Sequence, residues 1–258
     1  MLKKRLIPKL LLKNTKNNTP CLVNSFKYSK YKIIGSPISQ AKIFEAQHAD
    51  QLILLNIESV KLVASSPMIN LLEDFSSNIF MPLTFGGGIK SEKCVELALK
   101  HGADKVSINT EAVKNKNLIK KTSKLFGKQC IVVAIDYKHN GSFYEVFVNG
   151  GKKKTGINLY KWVKEIEDLG AGEIMISDIE RDGSGKGLNI EVSKKVSDEI
   201  KIPVIASAGC GLAEHFIECF SKTKVQGIAA GNFFSFKDQN VFQTRSQIIN
   251  NNIPLRKV

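Results

Sequence analysis

The chain has 258 residues, 43% of them hydrophobic and 24% charged, which excludes wholesale disorder and suffices for a core without disulfide or metal staples. A net charge of +14 suggests polyanions, but the lysines are spread over the whole length, so a solvated basic surface is expected, with no nucleic-acid or membrane partner. The five cysteines are odd in number and lack a C-x-x-C pair, which reads as reduced thiols in a cytoplasmic protein. The basic-then-apolar start, Met1 to Asn14, imitates a signal peptide, but Pro8 and Lys9 break it. No apolar run approaches the ~18 residues of a membrane helix.

Strands are predicted over Leu6–Leu11, Gln51–Ile57, Pro82–Phe85, Lys105–Ile108, Cys130–Asp136, Glu173–Ser177, Pro203–Ser207 and Gly227–Ala230. Between and after them, helical periodicity marks Pro37–His48, Pro67–Ser77, Ser91–His101, Asn117–Phe126, Leu159–Leu169, Ile190–Ile200, Leu212–Ser221 and Asp238–Asn250. Phe143–Val148 and Lys152–Thr155 form an inserted hairpin, whose lysine run is either solvated or in contact with an anion. Eight β-then-α units predict an α/β fold, a (β/α)8 TIM barrel forming one domain over 1–258. The alternative is an open doubly wound sheet, against which no G-x-G-x-x-G follows the first strand.

The chain also repeats itself. Pro82-Leu-Thr-Phe-Gly-Gly-Gly88 matches Pro203-Val-Ile-Ala-Ser-Ala-Gly209, and Leu55-Asn-Ile-Glu58 matches Ser177-Asp-Ile-Glu180, in nearly constant register. Two half-barrels, about 1–125 and 126–258, explain this spacing. Barrel chemistry sits where strands run into the following loops. There, Gly87, Gly88, Asn109 and Thr110 predict one phosphate cradle; Ser207, Gly209, Ala230 and Gly231 predict another. Asp182 and Gly183 lie in the loop into which the sixth unit's strand runs. Asp136, closing an apolar strand between the cradles, is a candidate general acid or base, with loop capping as its alternative. The four histidines form no metal-ligand cluster, so no metal is expected.

The stretches Phe85-Gly-Gly-Gly-Ile89, Gly102-Ala-Asp-Lys-Val-Ser-Ile-Asn109, Val132-Val-Ala-Ile-Asp136, Gly170-Ala-Gly-Glu-Ile174, Arg181-Asp-Gly183 and Ile205-Ala-Ser207 with Glu214-His-Phe216 resemble the cyclase subunit of imidazole glycerol phosphate synthase along the whole chain. That resemblance implies a duplicated (β/α)8 barrel without a cofactor, in a heterodimer with a glutaminase subunit docked on the N-terminal face. Ammonia would cross the barrel to a bisphosphorylated aminoimidazole-ribonucleotide precursor. It further implies that Asp136 is catalytic, that Asp182, Gly88, Asn109, Thr110, Gly183, Ser207, Gly209 and Ala230 bind substrate, and that Arg5, Gln51, Lys105 and Glu173 ring the ammonia entrance. Asp104 would lie on the glutaminase-facing side.

Departures from the family pattern fall at the active centre. Leu11 replaces the aspartate expected at the end of the first strand, Asn24 a loop lysine, Asn56 an aspartate, and Gln51 the entrance ring's fourth member, a glutamate, so that Lys105 is expected to lose a counter-ion. Ala208 stands for Gly and Gly231 for Ser. The Leu10-Leu11-Leu12 run and the Lys27–Pro37 loop resemble a sister group that accompanies surface-polysaccharide genes and supplies ammonia for an amidino sugar. Three readings follow: a diverged paralog of that kind, a working histidine-pathway cyclase, and a non-catalytic phosphate-binding scaffold. Strand parity places Lys9 inside the barrel, where it is expected to reach Asp136; pairing with Glu173 or an outward bulge are the alternatives.

Overall fold

The computed structural model describes residues 3–58, 60–236 and 240–256; Asp238, where the last predicted helix begins, lies outside them. Eight strands form the wall: β1 (Arg5–Asn14), β4 (Leu52–Asn56), β5 (Leu83–Gly86), β6 (Lys105–Ile108), β7 (Ile131–His139), β10 (Glu173–Asp178), β11 (Val204–Ser207) and β12 (Gly227–Ala230). Each pairs in parallel with the next, and β12 returns to β1, with Arg5 opposite Gly227 and Pro8 opposite Ala230. The sheet is therefore a closed (β/α)8 barrel, and the open-sheet alternative falls. The strands read as apolar runs because helices cover their outer faces.

Those helices are α1 (Pro37–Ala46), α2 (Pro67–Asn78), α3 (Glu92–Lys100), α4 (Thr110–Lys114), α5 (Lys116–Phe126), α6 (Leu159–Leu169), α7 (Ile190–Glu199), α8 (Ala213–Lys222), α9 (Asn232–Phe236) and α10 (Val241–Asn250). Local chemistry sets several starts. Ser36 caps α1 ahead of Pro37, whose missing N–H costs nothing in a first turn. Asn158 accepts from the N–H groups of Tyr160 and Lys161 at the head of α6, and Asn240 accepts from Gln243 at the head of α10.

Two hairpins rise from the C-terminal mouth. The expected one is β8 (Tyr144–Val148) with β9 (Lys153–Asn158), continuing the long strand β7. The other, β2 (Pro20–Phe26) with β3 (Lys30–Gly35), continues β1 and was not expected; it replaces the loop read over Lys27–Pro37. A β-hairpin thus follows the first wall strand of each half, and the five-residue helices α4 and α9 follow β6 and β12.

Apolar side chains pack in two shells. The larger lies between wall and helices. The smaller packs Ile7, Ile53, Val132, Ala134, Met175, Ile205 and Ala229 inside the barrel. The chain ends meet at the N-terminal face, where Lys4 bridges Leu255 and its N–H donates to the Pro254 carbonyl at 3.0 Å. The helix α10 is clasped beside them: Arg245 pairs with the fully buried Asp50 at 2.7 Å, and Asp50 accepts from the Leu6 N–H at 2.8 Å.

Candidate active site

Asp136 ends the inward-facing row of β7 and stands level with Ser177 of β10, which stands level with Ser207 of β11. Its carboxylate accepts from the Tyr28 hydroxyl at 2.9 Å and from the Asn109 amide at 3.0 Å. Burial pushes its pKa up to about 6, against the lowering pull of those two hydrogen bonds and of Lys9; the charge of Asp182 adds to the rise. Asp136 can therefore exchange a proton near neutrality, as a general acid or base must.

Tyr28 was not among the residues expected from sequence. It sits at the tip of the β2–β3 hairpin, where Lys27 and Tyr28 both take positive φ, 49° and 55°. Asp182 fixes that tip: its carboxylate accepts from the Ser25 hydroxyl at 2.6 Å and the Tyr28 N–H at 3.3 Å, and its carbonyl accepts from the Lys27 N–H at 3.1 Å. The predicted substrate residue Asp182 thus holds the lid over the mouth. Burial and the carboxylate of Asp136 raise the Tyr28 hydroxyl well above the usual phenol, so it stays a proton donor. No local signal marked it, because the aromatic and aliphatic residues from Tyr28 to Ile34 follow no period-two alternation.

Around Asp136 opens a cleft of about 480 Å³, lined by Leu11, Leu55, Asn56, Gly87, Gly88, Asn109, Thr110 and Tyr31 among others. The four residues expected for the first cradle, Gly87, Gly88, Asn109 and Thr110, all line this cleft. The Gly87 φ is +99°, and a Cβ on it would lie 1.9 Å from the Asn56 carbonyl oxygen, so only glycine fits. A narrow recess of about 30 Å³ joins it across the mouth, lined by Asn24, Gly183, Gly209, Ala230, Gly231 and Asn232. Of the residues expected for the second cradle, Gly209, Ala230 and Gly231 line this recess and Ser207 does not. Leu11 lines both spaces, and no second carboxylate faces Asp136 from β1.

Lys9 lies inside the barrel, as parity required, but its ammonium does not reach Asp136. It donates to the Ser207 hydroxyl at 2.8 Å, and the expected ion pair is replaced by the Tyr28 and Asn109 contacts of Asp136. The outward-bulge and Glu173 alternatives fall as well, because Glu173 is taken at the opposite end.

There, Arg5, Gln51, Lys105 and Glu173 close the N-terminal mouth. Glu173, with a side chain 2% exposed, accepts from Arg5 through one oxygen and from Lys105 through the other, the latter at 2.8 Å. Arg5 also donates to Gln51 at 2.8 Å, and Gln51 donates to Thr84 at 2.7 Å. Lys105 therefore keeps a counter-ion, contrary to expectation: Glu173 serves both cations, and Gln51 turns its neutral amide to Thr84. Asp104, on the same face, accepts from the Leu83 N–H at 2.7 Å.

The buried carboxylate of Asp136 thus lies between two glycine-rich turns at the C-terminal mouth of the barrel, with the Arg5, Lys105 and Glu173 cluster at the other mouth. Comparison with known proteins places the barrel further. Residues 5–240 match the family described as histidine biosynthesis protein, and the chain belongs to that family. Over 99% of each chain it is 40% identical to the protein provisionally named imidazole glycerol phosphate synthase subunit hisF2 of Prochlorococcus marinus (strain MIT 9313). It is 38% identical to imidazole glycerol phosphate synthase subunit HisF of Hydrogenobaculum sp. (strain Y04AAS1), over 99% of this chain and all of that one. It is 40% identical to the HisF subunit of Lactococcus lactis subsp. cremoris (strain SK11), over 99% of this chain and 97% of that one. Among the described residues no cluster of three or more His, Cys, Asp or Glu could hold a metal ion, and no helix is long and apolar enough to cross a membrane.

Proposed function

We propose that this barrel is a HisF-type synthase subunit that receives ammonia from a glutaminase partner and adds it to a phosphorylated acceptor, and that it is a diverged paralog of the histidine-pathway cyclase. Asp136 facing Leu11 carries this reading. The carboxylate accepts the proton that ammonia loses on bonding to an acceptor carbon and returns it to the leaving oxygen. The two cradles hold phosphate at either end of the acceptor, and the ring of Arg5, Gln51, Lys105 and Glu173 is the ammonia entrance. Leucine at position 11 can neither give nor take a proton. The ordinary cyclization, which uses a pair of aspartates in the family, therefore runs with half its acid–base machinery. The acceptor we infer is an amidino-sugar precursor of surface-polysaccharide synthesis.

Purified protein given ammonia and the aminoimidazole-ribonucleotide precursor is expected to turn over at least ~100-fold slower than an intact cyclase, since general acid–base groups contribute about 10²–10⁴. Leu11→Asp alone is not expected to restore the rate, because Asn24 and Asn56 also depart from the pattern. Turnover at the ordinary rate, or complementation of a strain lacking the histidine cyclase, would restore the working-cyclase reading. Co-purification with the glutaminase encoded beside it tests the partner; a barrel that stays monomeric in its presence counts against the ammonia route.

A further inference from the structure

Lys9 is 6% exposed, and its ammonium has a single hydrogen-bond partner among the described residues, Ser207. It makes no ion pair within 4.0 Å among them. An ammonium carries three N–H donors, and burying one without a counter-charge is costly. The position is aimed, not enclosed: Lys9 lines both the wide cleft and the narrow recess, and among the described residues it is the one cationic residue lining the recess. Asn24, where the family pattern has a lysine, lines that same recess. The recess has therefore lost a cation from its loop side and gained one from the barrel floor. The wide cleft, by contrast, has Lys90, Lys114 and Lys152 along its rim.

We propose that Lys9 is the phosphate-binding cation of the narrow recess. Its ammonium, oriented by Ser207, meets from below a phosphate monoester seated between the Ala208–Gly209 and Ala230–Gly231 turns. The anion supplies a direct counter-charge where Asp136 acts on Lys9 only at longer range, and the acceptor end held there is drawn deeper than a loop lysine would hold it. This inference rests on the phosphorylated-acceptor reading.

The test is titration of the full-length protein with inorganic phosphate, followed by calorimetry and by ³¹P line broadening. Wild type is expected to bind two phosphates. Lys9→Met is expected to weaken one of them at least ~10-fold, the loss of one charge-assisted hydrogen bond, and to leave the other unchanged. Thr110→Val is expected to affect only the other, and Lys9→Arg to stay close to wild type. Removing an unpaired buried charge should not unfold the barrel; should Lys9→Met fail to fold, Lys9→Gln keeps a donor for Ser207 while removing the charge. If either neutral variant binds both phosphates as wild type does, Lys9 has no such role and the phosphorylated acceptor survives. If wild type itself binds no phosphate, the acceptor reading falls and this inference with it.

Discussion

Asp136 sets function against stability. Its folded pKa of about 6 lies above the ordinary aspartate value of about 3.9, so the folded chain holds a proton that the unfolded chain has lost between those values. The stability this contributes is present below about pH 4 and disappears as pH rises through 6, roughly 3 kcal/mol in all. Asp136→Asn is therefore expected to lower ammonia-dependent turnover by ~10²–10⁴ while raising Tm at pH 8 relative to wild type, with the gain vanishing near pH 4. Activity in wild type is expected to fall on the acid side of pH 6 if the carboxylate acts as base. Tyr28→Phe removes a hydrogen bond that favours the ionised form, so that limb should move to higher pH. Ala208 holds φ at +77°, where Gly87 in the other cradle has +99°. Ala208→Gly is expected to relieve about 1 kcal/mol of backbone strain, read in a denaturant titration. Asp136 was legible from sequence because it ends an apolar strand at the face where barrels do chemistry. Tyr28 was not, since it comes from 108 positions away and depends on a hairpin whose path no local pattern fixes.

At the scale of elements, all eight wall strands and the eight longer helices behind them were readable, because burial on both faces leaves apolar runs and those helices are amphipathic; the five-residue α4 and α9 were not expected. The β2–β3 hairpin escaped because β3 is solvated along nearly its whole length, so its residues show no inside–outside alternation. The matching hairpin after β7 was legible from its Asn149-Gly150-Gly151 turn. The β2–β3 tip is held chiefly through Ser25 and Asp182, and Ser25→Ala removes one of those bonds. Trypsin is expected to cut that variant faster at Lys27, Lys30 or Lys32 than wild type, with the barrel intact. The α10 clasp is more demanding. Asp50→Ala leaves Arg245 buried without its carboxylate and the Leu6 N–H without an acceptor, so a loss of about 3–5 kcal/mol is expected in thermal or urea unfolding.

For the molecule as a whole, the hairpins follow β1 and β7 and the short helices follow β6 and β12, and we propose a division into two half-barrels at about residue 125. The closed barrel also links its two mouths. Glu173, on which the two cations Arg5 and Lys105 converge at the N-terminal mouth, begins the strand β10 that ends at Asp178, and β1 runs from Arg5 past Lys9 to Leu11. The bridge between Lys4 and Leu255 has a topological consequence. Because the backbone closes the barrel where its own ends meet, the order in which the chain is threaded is separable from the shape it adopts. A short Gly/Ser linker could join residues 256 and 3, and new ends could be opened at Gly127, in the turn between α5 and β7. Such a circular permutant would carry the second half first. It is expected to fold to the same far-ultraviolet circular dichroism and to melt in one transition, whereas a chain that remains unfolded would show that synthesis of β1 before β7 is itself a requirement of the fold.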